Sequence, residues 1–271
     1  MGMPLEAVVF DLDDTLVVDE AVSKEAMQAV ADLSATRHGT DRTEFVAAAR
    51  VCAQALWKEN PQRSYCEEIG ISFEECLYGN LTEDPADRSF EFCRWAKRTR
   101  TIFFEAVLQT MGLGGEEAGE ELAEAFVAAR RRLQRLMPDA RETLTRLRGA
   151  YRVGLLTNGA SSIQRQKISD AGLASSFDEI IVSGEEGIGK PKTEIFDLLL
   201  ARMGKNATES AMVGNSLHRD ILGARNAGFG ATVWIQVAGS EEPADVVPGA
   251  TIRGLHELPA VLAGFAGSRE A

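Results

Sequence analysis

The sequence predicts an α/β fold, in which a parallel β-sheet is covered by helices on both faces and an all-helical segment follows the first strand. Three observations lead to this prediction. Short apolar runs without polar alternation, such as Leu5–Phe10, are typical of strands buried on both faces. Beyond Pro138 such runs alternate with helical patterns, which favours a parallel sheet. Residues 17–135, in contrast, show helical periodicity alone.

The first predicted strand is Leu5–Phe10, and helices follow it where apolar residues recur every three or four positions. Four apolar helix faces can be recognised in this way, at Val22–Leu33, Phe45–Leu56, Phe92–Val107 and Leu122–Leu136. The glycine-containing segment Gly112–Gly115 separates the last two. No convincing strand interrupts the four faces, so we predict that residues 17–135 form one helical domain.

After Pro138 the pattern changes to alternating helices and strands. Strands are predicted at residues 153–156, 179–182, 211–213 and 232–237 and near Thr251. A helix at residues 139–148 is predicted before the first of these strands, and Ser161 or Ser162 can cap the helix that follows that strand. Further helices are predicted at residues 195–203 and 217–227, and Gly228 is a suitable residue to end the last one. The first strand most simply joins this sheet. The α/β core is therefore predicted to comprise residues 1–16 and 136–271.

The composition excludes several classes of partner. The formal net charge is −12, whereas nucleic acids and anionic membranes require a basic surface. No run approaches the ~18 apolar residues of a membrane span, and the N-terminal residues lack the pattern of a signal peptide. The four cysteines form no CxxC pair, which disfavours a zinc site. We therefore expect a cytoplasmic protein without a nucleic-acid or membrane partner.

Polar or glycine residues stand at the ends of four apolar runs, namely Asp11, Thr157, Ser183 and Gly214. The carboxyl ends of parallel strands lie along one edge of an open sheet, and ligands bind at that edge. The four segments are distant in sequence, yet each ends in a polar or glycine residue at the same edge of the predicted sheet. This shared placement is stronger evidence for a site than any one motif. We expect them to converge on one site.

The acidic residues of such a site need a counter-charge. Asp11, Asp13 and Asp220 would repel one another in one cleft, and Mg²⁺ neutralises such a group and also attracts phosphate oxygens. Lys190 adds a fixed cation, and the turn at residues 157–159 supplies a hydroxyl and backbone amides. Together these groups indicate phosphoryl transfer.

Four stretches resemble, in order and spacing, the four motifs of the haloacid dehalogenase (HAD) superfamily. They are DLDDTL from Asp11, LLTNG ending at Gly159, GKP around Lys190 and GNSLHRDILGARNAG from Gly214. The resemblance implies the Rossmann-like parallel sheet of the HAD fold, with residues 17–135 as a helical cap domain inserted after the first motif. It also implies a Mg²⁺-dependent hydrolase that works through an aspartyl-phosphate.

The resemblance further implies a role for each motif residue. Asp11 is expected to be the nucleophile, and Asp13 is expected to protonate the leaving group and then to activate water. Thr157 and the Asn158 amide are expected to bind the phosphoryl oxygens. Lys190 is expected to hold the nucleophile and the phosphate together. The expected ligands of Mg²⁺ are Asp11, Asp13 through its backbone carbonyl, Asp220 and Asn215.

Asp13 distinguishes two branches of the superfamily, because an alkoxide leaving group needs a proton and a halide does not. An acid at this position favours a phosphatase acting on a small phosphorylated metabolite over a dehalogenase. Many relatives have Asp where this chain has Asn215, so we expect a lower metal affinity. Two alternatives to a phosphatase remain. One is a phosphomutase, and the other is a binding or regulatory member of the superfamily that has lost turnover. Neither the substrate (a sugar phosphate, a nucleotide or a similar monoester) nor the oligomeric state can be read from the sequence.

Overall fold

A computed structural model of the protein describes residues 4–79, 81–82, 84–237 and 245–267. The chain forms two compact units. The α/β unit consists of the described parts of Met1–Val18, Arg135–Asn158 and Lys167–Ala271, and the helical unit consists of those of Asp19–Gln134 and Gly159–Gln166. The domain limits predicted from the sequence, residues 16 and 136, stay a prediction. They differ from these units in placing residues 159–166 with the sheet.

Between residues 19 and 134, the described part of the helical unit forms four long α-helices and two short ones. They are α1 (Glu20–His38), α2 (Arg42–Lys58), α3 (Arg63–Ile69), α4 (Phe73–Cys76), α5 (Phe90–Thr110) and α6 (Glu116–Leu133). The long helices contain the four predicted apolar faces, whereas α3 and α4 are too short to show a repeat. The predicted extension of the last face to Leu136 is wrong, because α6 ends at Leu133. Leu136 instead forms an antiparallel bridge with Val17 within the α/β unit.

The α/β unit is built on a six-stranded parallel sheet with the strand order β3-β2-β1-β4-β5-β6. The strands are β1 (Ala7–Phe10), β2 (Arg152–Thr157), β3 (Glu179–Val182), β4 (Ser210–Gly214), β5 (Ala231–Ile235) and β6 (Ala250–Ile252). The predicted α/β class is therefore confirmed. The first strand of the chain lies in the middle of the sheet, between two strands that follow much later in the sequence.

Helices follow the strands of the sheet. They are α7 (Ala140–Leu147), α8 (Ser161–Asp170), α9 (Ser183–Glu186), α10 (Thr193–Met203), α11 (Gly223–Asn226) and α12 (Leu258–Gly267). The single helix predicted over residues 217–227 is in fact a π-helix, Leu217–Leu222, followed by α11. Neither α9 nor α12 was predicted. In the described part of the chain, no helix is both long and apolar enough to cross a membrane.

The strand β1 is apolar at every position because both faces of the sheet are covered. Val8 and Phe10 pack into the core that includes residues of α7 and α12. Ala7 and Val9 pack into a second core, which includes residues of α10. All four side chains are fully buried. This anchoring of β1 determines where the residues that follow it emerge.

Candidate active site

Three neighbouring strands bring the predicted site residues to one edge of the sheet. Asp11 directly follows β1, and its N–H donates to the Val213 carbonyl of β4 at 3.0 Å. Thr157 is the last residue of β2, and Gly214 is the last residue of β4. Ser183, after β3, is buried at the start of α9. The structure therefore places the ends of these strands along the edge at which α/β proteins bind ligands.

Lys190 joins two acidic residues of this edge. Its Nζ donates a hydrogen bond to Asp11 Oδ1 at 2.6 Å and another to Asp220 Oδ1 at 2.7 Å. The side chains of Lys190 and Asp220 are each 2% exposed, and that of Asp11 is 10% exposed. Buried charges are tolerated only when they are paired. Here one ammonium faces two carboxylates, so an additional cation at this place is electrostatically favoured.

The surroundings of this cluster act on the pKa values in opposite directions. Burial raises the pKa of Asp11 above its usual range, and the neighbouring Asp220 adds to this, while Lys190 lowers it. Burial alone would lower the pKa of Lys190, but the attraction of both carboxylates leaves that pKa raised. The two carboxylates thus favour the charged form of Lys190. Burial and the neighbouring Asp220 disfavour the negative charge of Asp11, and pKa values shifted in this way are common at functional sites.

Thr15 contacts the other oxygen of the Asp11 carboxylate. Its hydroxyl donates to Asp11 Oδ2 at 3.2 Å, and its side chain is fully buried. Both oxygens of Asp11 are thus held, one by an ammonium and one by a hydroxyl. The sequence places a threonine in the first motif but gave us no role for it, and this contact provides one.

The side chain of Asn158 binds the loop that carries Lys190. Its Oδ1 accepts from the Lys190 N–H at 2.9 Å, and its Nδ2 donates to the Lys190 carbonyl at 3.0 Å. These two hydrogen bonds fix the backbone of Lys190 beside the end of β2. No local pattern in the sequence indicates this contact, because the two residues are 32 positions apart. The predicted role of the Asn158 amide in phosphate binding stays a prediction.

Asp220 is placed by a glycine and by an unusual helix. It belongs to the π-helix, a form that often occurs at functional sites. Its Oδ2 accepts from the Ser216 N–H at 2.9 Å. A Cβ atom on Gly214 would lie only 2.3 Å from Asp220 Oδ2, so no larger residue fits at the end of β4. Asn215 is half-buried, and its carbonyl accepts from Trp234 Nε1 at 2.9 Å.

Asp13 lies beside a lysine that the sequence did not indicate. Lys167 Nζ of α8 donates to Asp13 Oδ1 at 2.8 Å. The neighbouring Asp14 has a positive φ of 54°, and its N–H donates to the Val17 carbonyl at 2.7 Å. Asp14 therefore forms the turn, while Asp13 carries the carboxylate that faces Lys167.

Comparison with known proteins assigns the chain to a family. The pattern of the haloacid dehalogenase-like hydrolases matches residues 5–228. The chain belongs to this family. The resemblance inferred from the four motifs is thereby confirmed, and the protein is an enzyme of the hydrolase class.

Two curated relatives of this hydrolase are similar over almost their whole length. Phosphoserine phosphatase from Thermus thermophilus is 35% identical over 255 residues, which span 94% of this chain and 98% of that protein. Human N-acylneuraminate-9-phosphatase is 30% identical over 267 residues, which span 97% of this chain and 96% of that protein. The HAD-hydrolase YfnB from Bacillus subtilis, solved with magnesium, has a TM-score of 0.63 and 23% identity, and the match covers 96% of this chain and 100% of that one. The last comparison shows the fold.

The donor atoms of this hydrolase fit a hard divalent cation. Among the described residues, no group of three or more His, Cys, Asp or Glu side chains could hold a metal ion. Mg²⁺ requires less, because one or two carboxylates are enough when water and phosphate oxygens fill the other positions. Asp11 and Asp220 supply two carboxylates next to each other, both in contact with Lys190. The atoms with which Asp13 and Asn215 are expected to bind the metal are also oxygens, and Mg²⁺ prefers oxygen ligands.

Proposed function

We propose that the protein is a Mg²⁺-dependent phosphatase, which hydrolyses a small phosphorylated metabolite through an aspartyl-phosphate. The observation that carries this proposal is the position of Asp11. Its carboxylate is held by Lys190 and Thr15 at the end of the central strand, and a second carboxylate, Asp13, follows two residues later. A fixed nucleophile with a nearby acid is the arrangement that phosphate-ester cleavage requires.

In the first step, an Asp11 carboxylate oxygen attacks phosphorus, and the bond to the leaving oxygen breaks. Asp13 donates its proton to that oxygen, so that an alcohol leaves. In the second step, Asp13 accepts a proton from a water molecule that attacks phosphorus, the bond to Asp11 breaks, and phosphate is released. Lys190 offsets the negative charge at Asp11, and Thr157 and the Asn158 amide bind the phosphoryl oxygens.

The metal ion would be held by Asp11, Asp220, the backbone carbonyl of Asp13 and Asn215, and when bound it supplies positive charge toward the phosphate. The excess of carboxylate over ammonium around Lys190 supports this proposal. Because an amide oxygen at Asn215 is neutral, the proposed affinity for Mg²⁺ is lower than that of a site with an additional carboxylate.

The names of the relatives support a small substrate. One acts on phosphoserine and another on an N-acylneuraminate 9-phosphate, and a further relative from Escherichia coli, 36% identical over 143 residues, is a pyrimidine 5′-nucleotidase. These substrates share a phosphate monoester and differ in the organic part. The proposal therefore commits to the monoester and leaves the organic part to experiment.

Purified protein tests the proposal with a panel of phosphate monoesters, assayed for released phosphate with Mg²⁺ and with EDTA. We expect turnover of at least one small metabolite phosphate, lost with EDTA and restored by Mg²⁺. Absence of turnover for every ester, in a sample shown to be folded by circular dichroism, would refute the proposal. Isomerised sugar phosphate without free phosphate would favour a phosphomutase instead.

A further inference from the structure

Lys167 is a buried lysine whose charge is directed at Asp13. Its side chain is 4% exposed, whereas that of Asp13 is 27% exposed. The two side chains meet through Nζ and Oδ1 at 2.8 Å, although 154 positions separate them. Both residues belong to the α/β unit. Neither composition nor spacing in the sequence singled out this lysine.

A buried ammonium is costly to desolvate, and its partner must compensate for that cost. The side chain of lysine also loses much of its rotational freedom when it is buried. The pair with Asp13 is therefore fixed rather than one of many surface conformations. The backbone on the Asp13 side is fixed as well, because Asp13 forms a bridge with Val17 and the adjacent Asp14 N–H donates to the Val17 carbonyl.

We propose that Lys167 is a positioning residue for Asp13, which it holds in the orientation needed for proton transfer. This inference rests on the proposed function. The ammonium of Lys167 binds Oδ1, and the carboxyl group has two oxygens. This contact fixes how the carboxyl group is turned, and thereby the direction in which it gives its proton to the leaving oxygen and later takes one from water. Lys167 itself touches neither the phosphate nor the leaving group.

This role has a consequence that a purely structural role lacks. A poor leaving group, such as an alkoxide, needs the proton of a well-placed Asp13, whereas p-nitrophenolate leaves without one. The parameter kcat/KM reports the steps up to departure of the leaving group. Loss of Lys167 should therefore lower kcat/KM for alkyl phosphates far more than for p-nitrophenyl phosphate.

The test compares Lys167→Met with Lys167→Arg, using the best alkyl phosphate of the substrate panel and p-nitrophenyl phosphate. For Lys167→Met we expect a loss of about 10²-fold in kcat/KM with the alkyl phosphate and a much smaller loss with p-nitrophenyl phosphate. Lys167→Arg, which keeps the charge, should recover most of the alkyl activity. Lys205→Met removes a lysine that pairs with Glu6 on the surface, and it should leave kcat/KM unchanged for both substrates.

Asp13→Asn is measured alongside, because it separates the two proposals. Suppose that Asp13→Asn loses more kcat/KM with the alkyl phosphate than with p-nitrophenyl phosphate. If Lys167→Met then lowers kcat/KM by the same factor for both substrates, or for neither, the role of Lys167 is refuted while the phosphatase proposal stands. If Asp13→Asn shows no difference between leaving groups, the assignment of Asp13 as the acid is itself refuted. Thermal unfolding of each variant verifies that it is folded. If Lys167→Met does not fold, Lys167→Gln, which also removes the charge, is measured in its place, with the same result expected and the same result refuting the role of Lys167.

Discussion

Lys190 Nζ lies 2.6 Å from Asp11 Oδ1, although 179 positions separate the two residues in the chain. The same nitrogen lies 2.7 Å from Asp220 Oδ1. A single ammonium therefore holds two carboxylates that would otherwise repel each other in a buried place. The contact between Lys190 and Asp11 connects the stability of the α/β unit with the chemistry that we propose for it, because any change at Lys190 affects both.

Replacement of Lys190 by methionine should destabilise the protein by about 3–5 kcal/mol, because it leaves two buried carboxylates without their counter-charge. The free energy of unfolding would be measured in urea without Mg²⁺. Added Mg²⁺ should raise the melting temperature of Lys190→Met more than that of the wild type, since the ion replaces the lost positive charge.

The matched control for this change is Lys205→Met, which breaks the partly exposed pair with Glu6. An exposed pair contributes only about 0–1 kcal/mol, so this variant should unfold close to the wild type. Equal losses in the two variants would contradict the account of the Lys190 cluster.

Replacement of Asp11 by asparagine should abolish turnover and leave the fold intact. The two side chains are nearly the same size, but the neutral amide is not a nucleophile. We expect a loss of more than about 10⁴-fold in kcat, with the midpoint of thermal unfolding retained. Chemical trapping of an acyl-phosphate should succeed with the wild type and fail with Asp11→Asn. Substantial activity in this variant would exclude Asp11 as the nucleophile.

Replacement of Gly214 by alanine should displace Asp220, because the new Cβ atom would lie 2.3 Å from its Oδ2. A misplacement of this order costs about 10²-fold in activity, and we also expect an increased Mg²⁺ requirement. Steady-state kinetics over a range of Mg²⁺ concentrations would measure both. Gly264→Ala is the control, because nothing lies within 4 Å of a Cβ atom there. In helix α12 this change should leave activity unchanged and add up to about 1 kcal/mol of stability.

The four cysteines, all free and buried, should be inert in the folded protein. Burial raises the pKa of the Cys66 thiol to about 12, and burial also raises the pKa values of Cys52, Cys76 and Cys93. A raised pKa lowers the thiolate fraction, and the thiolate is the reactive form. Between pH 7 and 9 a thiol reagent should therefore label the unfolded protein faster as the pH rises, while the native protein stays unlabelled. Rapid labelling of native Cys66 would contradict this.

Much of the fold could be predicted from the sequence, because apolar runs and helical repeats are properties of neighbouring residues. The strands β1–β6 and the four long helices of the helical unit all correspond to such patterns. Two failures occurred where no repeat exists or where the repeat continues past the helix, whereas α12 was missed although its apolar residues recur at helical spacing. Helix α9 has only four residues, and the apolar spacing that runs to Leu136 passes the end of α6 at Leu133.

The motif residues of the site could be proposed from the sequence because each stands directly after an apolar run or within a short, recognisable stretch. Their partners could not. The pairing of Asn158 with the backbone of Lys190, and that of Lys167 with Asp13, join residues 32 and 154 positions apart. Such contacts depend on which strands become neighbours, and a local pattern carries no information about that.

The sequence by itself therefore determined the α/β class, the helical segment after the first strand, the family and the charged motif residues Asp11, Asp13, Lys190 and Asp220. Only the tertiary structure decided how these charges are paired: Lys190 between Asp11 and Asp220, and Lys167 against Asp13. The physical reason is that burial forces every charge to find a partner. The partner within reach is chosen by the strand order, which places β1 between β2 and β4.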